Sequence, residues 1–175
     1  MKPHKDEIIR TALYNGFLLE IHYKAGLIIS TRLVQSNGYD STPNLVPYEH
    51  IDVCKLDSSR VSVFRWRVYQ LLMDRIPKET IITYGEIAKS LGSKDYSRAV
   101  GTALSNNPWP IIVPCHRVVL GNGLIGKYNS LSGTIAKSEI LRSEGLEIGK
   151  FGNYDQKNLI KIATEDTDAN NQTKM

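Results

Sequence analysis

The chain has 175 residues and a mass of 19.7 kDa, of which 41% are hydrophobic and 23% charged. That is the composition of an ordinary folded domain, and it excludes collagen-like, coiled-coil and wholly disordered classes. No apolar run approaches the roughly 18 residues of a membrane span, and Met1–Glu7 lacks a secretory signal, so no membrane partner is expected. The formal net charge of +4 and a pI near 9.0 lean toward polyanionic partners, because Lys and Arg release counterions from phosphates.

In chain order, Phe17 to Tyr23 and Leu27 to Val34 are apolar, β-branched runs joined by a Lys24-Ala25-Gly26 hairpin turn. Asn37-Gly38, Pro43 and Pro47 mark loops. From Val61 the period becomes helical through Phe64, Val68, Leu71 and Leu72, and Ile76-Pro77 stops it. That switch divides an amino-terminal sheet-containing domain, 1–58, from a carboxyl-terminal domain, 59–150.

Thr83 with Glu86 three positions on is a capping-box pattern opening a helix over Tyr84 to Leu91, ended by Gly92. A second short helix starts near Asp95 or Ser97 and must stop before Asn107-Pro108. Two short helices around a Gly-containing turn fit a helix-turn-helix, and equally fit plain helix packing. Pro108, Pro110 and Pro114 stiffen the following loop, and Gly121, Gly123 and Gly126 punctuate the next. A last helix is expected over Gly133 to Ser143, capped by Ser132 and ended by Gly145. Beyond Ile162 almost nothing can be buried, and 164–175 is expected to be a disordered tail.

With only Cys54 and Cys115 present, a disulfide scaffold and a four-cysteine zinc or iron-sulfur site are excluded, and a reducing cytosol or nucleus fits. Cys115 is followed by His116 and Arg117, where a base or positive charge stabilises a thiolate. An inert buried cysteine fits as well, because successive side chains of an extended strand point oppositely. Glu144 falls at the carboxyl end of the last helix, where the macrodipole disfavours its charge. Either an imidazole offsets that charge, the carboxylate fixing its tautomer, or Glu144 is a solvated residue at a frayed helix end.

Pro114-Cys115-His116-Arg117-Val118 resembles the acceptor-cysteine motif of the O6-alkylguanine-DNA alkyltransferases, also called methylated-DNA-protein-cysteine methyltransferases. Thr83-Tyr84-Gly85, Arg98-Ala99-Val100-Gly101, Asn106-Asn107-Pro108 and Gly126-Lys127-Tyr128 resemble the family's other blocks, in order. The likeness covers about Phe64 to Gly145. It implies an α/β protein with a strand-rich, ribonuclease-H-like amino-terminal domain and a helical carboxyl-terminal domain carrying a winged-helix-like helix-turn-helix.

The activity implied is single-turnover transfer of an alkyl group from O6 of guanine, or O4 of thymine, in DNA to Cys115. By the same resemblance His116 takes the thiol proton, Glu144 orients His116, Tyr84 protonates the leaving base and Asn107 holds the active-site turn. Arg98 enters the space left by a nucleotide flipped into the protein from the minor groove, Gly101 permits close approach, and Ser93 and Arg65 lie near phosphates. Tyr128, Val118, Asn129 and Ser130 line the base pocket, although the segment 129–134 is about two residues longer than the usual loop. The partner implied is double-stranded DNA with alkylated bases, bound by a monomer in the cytoplasm (nucleoid-associated) or nucleus, with no cofactor. His50 and Cys54 cannot furnish four zinc ligands, and His4 and His22 show no finger spacing, so no metal is expected. Two rival functions are a non-catalytic alkyltransferase-like lesion binder, which lacks the acceptor cysteine, and a Cys-His-Glu hydrolase, for which no oxyanion loop is present.

Overall fold

The computed structural model describes residues 7–34, 45–127 and 136–162. Its amino-terminal part is a four-stranded sheet in the order β3-β2-β1-β4, with β1 at Glu7–Tyr14, β2 at Phe17–Lys24, β3 at Leu27–Val34 and β4 at Leu45–Pro47. The first three are antiparallel neighbours, whereas β4 lies parallel to β1 with Leu45 opposite Thr11. Both hairpins turn on two residues with positive φ: Asn15 and Gly16 at 46° and 83°, Ala25 and Gly26 at 50° and 80°. This is the turn whose twist matches that of the flanking strands.

Strands β2 and β3 lie where the sequence predicts them. Strand β1 escapes sequence reading because its apolar residues fall on both faces: Ala12 and Tyr14 are buried while Ile9 and Leu13 are exposed, so no clean alternation appears. Pro47, read as a loop signal, closes β4, an edge strand where a missing N–H costs no ladder bond.

Helix α1, Val63–Arg75, is capped by Ser62, whose hydroxyl accepts from Arg65 N. Val68, Tyr69 and Leu72 form its buried stripe. Strand β5, Ile82–Thr83, leads into α2, Tyr84–Ser90, whose first turn is capped by Thr83 accepting from Glu86 N at 3.1 Å. A 3-10 turn at Lys94–Tyr96 then opens α3, Ser97–Ser105. Strand β6, Val118–Val119, runs parallel to β5. One buried cluster joins both halves of the chain: Tyr14, Leu19, Ile21 and Leu33 from the sheet share it with Tyr69, Leu72, Val100, Trp109 and Cys115.

The last helix starts later than expected. Helix α4 is Lys137–Ser143, because Ala136 is extended (ψ 144°) and Glu139 reaches back to accept from Ala136 N. The expected cap Ser132 and start Gly133 lie outside the described residues, as does the expected tail, 164–175. After Gly145 (φ 93°) the chain does not leave the body. Leu146, Ile148 and Tyr154 are buried with Ile81, Val119, Ile125 and Leu141, and Ile160 N donates to Ile81 O.

Candidate active site

Residues 106–117 connect α3 to β6 as a largely buried loop, which must satisfy its polar backbone internally. Much of that satisfaction comes from β3. Thr31 N donates to Pro108 O at 2.9 Å, Thr31 Oγ1 to Pro110 O at 2.8 Å, and Trp109 Nε1 to Ile28 O at 2.9 Å. Trp109 is fully buried and meets Trp66 and Tyr69 edge to face, with centroids 6.1 and 6.0 Å apart. Ile111 sits at φ 76°, a strained conformation for a β-branched residue.

The loop ends in a 3-10 turn, Cys115–Arg117, with all three residues buried. The turn replaces the extended geometry that would have sent Cys115 and His116 to opposite faces. Asn107 spans it: Nδ2 donates to Val113 O at 3.1 Å and lies 3.2 Å from Cys115 Sγ, while Oδ1 accepts from Trp109 N. Cys115 is 6% exposed. Cys54, by contrast, lies on the surface.

His116 is fully buried, and its Nε2 lies 2.7 Å from Glu144 Oε1. Glu144 is the C-cap of α4, and it is buried, not frayed. Burial alone would raise its carboxyl, but hydrogen bonds and charge from His116 and Arg117 outweigh that and hold it below the usual carboxylate range. An ionised carboxylate only accepts, so the proton of neutral His116 sits on Nε2 and Nδ1 presents a lone pair. Nδ1 has no hydrogen-bond partner among the described residues. Burial lowers the His116 pKa despite the opposing pull of Glu144, so the imidazole is neutral and able to accept a proton at pH 7.

Arg117 directs its hydrogen bonds to Glu144 and the backbone. Its Nε and Nη2 grip Glu144 at 2.9 and 2.8 Å, and Nη1 donates to Ile76 O at 2.7 Å. Burial disfavours the guanidinium, yet the bonds to Glu144 raise its pKa overall. Tyr84 is half-buried; burial, then the nearby Cys115, raises its pKa, so it keeps its proton at neutral pH. Gly101 faces this ring: a Cβ there would lie 4.0 Å from Tyr84 Cε1.

Of the residues expected at DNA, Arg98 is exposed in the first turn of α3. Arg65 is half-buried in the first turn of α1, and Ser93 caps the turn before α3 by accepting from Asp95 N. Val118 is fully buried in β6, and Tyr128, Asn129 and Ser130 lie outside the described residues. Among the described residues no three His, Cys, Asp or Glu side chains converge as a metal centre requires, and no helix is long and apolar enough to cross a membrane.

Three polar side chains near the site carried no signal that sequence reasoning used. Tyr69 donates to Ala103 O at 2.7 Å, and its pKa is pushed up to about 12 chiefly by burial. Lys137 is buried, with Nζ donating to Val118 O and Ile125 O at 2.5 and 2.6 Å, and burial lowers its pKa to about 8. Tyr14, from the far end of the chain, donates to Glu144 Oε1.

Residues 63–146 match the family profile described as the 6-O-methylguanine DNA methyltransferase DNA-binding domain. This segment, just under half of the chain, is similar to that family. A methylated-DNA--protein-cysteine methyltransferase of Thermococcus barophilus is 48% identical over 77 residues, 43% of this chain and 43% of the relative. The chain thus spans about half the length of the curated relatives it matches. In three dimensions, the O6-methylguanine-DNA methyltransferase of Pyrococcus kodakaraensis superposes with a TM-score of 0.58 at 26% identity, covering 78% of this chain and 98% of that one. Mycobacterium tuberculosis OGT in complex with DNA superposes with a TM-score of 0.54 at 25% identity, covering 78% and 92%. The alkyltransferase likeness therefore extends in shape well beyond the segment where it is visible in sequence.

Proposed function

We propose that this protein repairs DNA by moving an alkyl group from O6 of guanine, or O4 of thymine, onto Cys115 in a single turnover. The observation that carries this reading is the buried row of Glu144, His116 and Cys115, in which an ionised carboxylate leaves the imidazole Nδ1 as a lone-pair base next in sequence to a thiol. His116 takes the Cys115 proton, through a bridging water where the two do not touch. The sulfur attacks the alkyl carbon, an S–C bond forms, the C–O bond breaks, and its electron pair leaves on the base. Tyr84, kept protonated by its burial, supplies a proton toward that base. The spent thioether has no route back, so each molecule acts once.

The substrate must come out of the duplex to reach a thiol this buried. The pair α2 and α3 is read as a helix-turn-helix of winged-helix type that lies in the minor groove as a monomer, with exposed Arg98 filling the vacated stack and Arg65 and Ser93 near phosphates. Minor-groove binding suits repair in any sequence context, because that groove carries little base information. The amino-terminal sheet corresponds to the ribonuclease-H-like part, and the protein works wherever chromosomal DNA lies.

Duplex DNA bearing radiolabelled O6-methylguanine tests this directly. Label should become covalently bound at up to one per protein molecule, and Cys115→Ser should abolish the label while retaining lesion binding. Unlabelled wild-type protein would refute the reading, and label on Cys115→Ser would move the acceptor elsewhere.

A further inference from the structure

We infer that Tyr14, on the amino-terminal sheet, is a positioning residue for the transfer site and sets the basicity of His116 through Glu144, an inference that rests on the function just proposed. Its hydroxyl donates to Glu144 Oε1, the same oxygen that receives His116 Nε2 and Arg117 Nη2. It also accepts from Arg117 Nη2 at 3.2 Å. Two carboxylate oxygens thus answer to three side chains from two regions of the chain, in a buried place: Tyr14 is 1% and Glu144 4% exposed.

The phenol is held as a fixed donor. Its ring packs edge to face on Tyr48 with centroids 4.7 Å apart, and Lys78 Nζ lies 5.0 Å from its centroid. Burial, then the charge of Glu144, raises the Tyr14 pKa, so the hydroxyl is protonated at every pH at which the protein works. Tyr14 is also the last residue of β1, fixed by the tight turn at Asn15 and Gly16. The sheet therefore does more than support the acceptor loop: it places a hydrogen-bond donor on the carboxylate that faces the base.

The direction of the effect follows from competition for one oxygen. Each donor on Oε1 withdraws charge that would otherwise stabilise the imidazolium of His116. Removing the phenol O–H strengthens Glu144 as an acceptor for His116 Nε2–H and raises the His116 pKa. Because the reaction needs neutral His116, the acidic limb of the transfer rate moves to higher pH, by on the order of half a unit. Arg117 keeps both of its bonds to Glu144, and a phenylalanine keeps the packing on Tyr48.

The test is Tyr14→Phe in the full chain, with Tyr48→Phe as a neighbouring control whose hydroxyl contacts Ile111 O and not Glu144. The His116 pKa is read by NMR of ring-labelled histidine, without substrate, and transfer rates are followed from pH 5 to 9. The expected result is an upward shift of both the His116 pKa and the acidic limb in Tyr14→Phe, and neither shift in Tyr48→Phe. An unchanged His116 pKa overturns the inference even if transfer is slower, since slowing alone is what a structural role would give. A Tyr14→Phe protein that does not fold also overturns it, because a donor that only tunes the carboxylate is dispensable to the fold. Failure of the proposed function itself is distinguishable: wild-type protein would then transfer nothing, while the histidine titration could still be read.

Discussion

Replacing Glu144 with Gln removes one charge from a buried site. In the wild type the carboxylate accepts from Arg117 Nε and Nη2, from His116 Nε2 and from Tyr14. A glutamine offers one acceptor oxygen and turns an NH2 toward donors, leaving the Arg117 guanidinium, only 8% exposed in its side chain, without a counter-charge. Removing one partner of a buried ion pair costs about 3–5 kcal/mol. For a chain of this length that corresponds to a fall in melting temperature of about 6–20 °C.

The acid dependence of stability gives a second and sharper reading of the same variant. The folded Glu144 pKa lies below the unfolded value of about 4.3. As pH falls through the interval between them, the unfolded chain binds a proton that the native one does not, and stability is lost at up to about 1.4 kcal/mol per pH unit from this group. His116, whose folded pKa is also lowered, adds a loss of the same sign starting near its unfolded value of about 6.5. Urea unfolding from pH 7 to 2.5 should therefore show Glu144→Gln much less stable at neutral pH but with a flatter curve below about pH 4.3, and transfer about a hundredfold slower or worse. A variant within about 1 kcal/mol of wild type at pH 7, with an unchanged acid slope, would show that the carboxylate is neither ionised nor paired as described.

Arg98→Ala should slow transfer from duplex DNA far more than reaction with free O6-benzylguanine, which needs no base flipping; equal losses would assign Arg98 to chemistry or fold. Alkylation adds volume at Cys115, a residue only 6% exposed, and should lower stability by about 1–3 kcal/mol, more for benzyl than for methyl, in matched thermal melts; coincident melts would mean a roomy pocket. Lys137, with a pKa lowered to about 8, is protonated more readily unfolded than folded, so wild-type stability should rise between pH 8 and 10 relative to Lys137→Met. The slope should approach about 1.4 kcal/mol per pH unit, and parallel curves would refute the assignment.

What the sequence discloses is what depends on neighbours along the chain. The β2–β3 hairpin, the Thr83 helix start and the stop at Ile76-Pro77 are local signals, and the structure contains each of them. Cys115, His116 and Glu144 were legible as types of chemistry, and the family motif ordered them. The buried pairing of His116 with Glu144 was not, because it depends on a 3-10 turn that compact Pro-rich loops do not announce. Tyr14 shows the limit most clearly: it is 130 residues from Glu144, and nothing in Leu13-Tyr14-Asn15-Gly16 marks that tyrosine as different from any strand-end aromatic. Lys137 likewise reads as a surface lysine on a helix until Val118 O and Ile125 O are found beneath it.

The bonds between β3 and the acceptor loop bear on how such a protein can be recombined. On the β3 side two of the three are made by main-chain atoms, Thr31 N and Ile28 O, which any amino acid except proline at position 31 would provide. Those two bonds therefore survive a change of side chain at positions 28 and 31 provided the third strand keeps its path, whereas the third, from the Thr31 hydroxyl to Pro110 O, does not. A graft of residues 63–146 alone, by contrast, would strip Trp109 of its indole acceptor and expose the carbonyls of Pro108 and Pro110, opening the loop that carries the nucleophile. In a chimera, the reactive half travels only with a sheet to lean on, and the shape of that sheet's edge counts for more than its spelling.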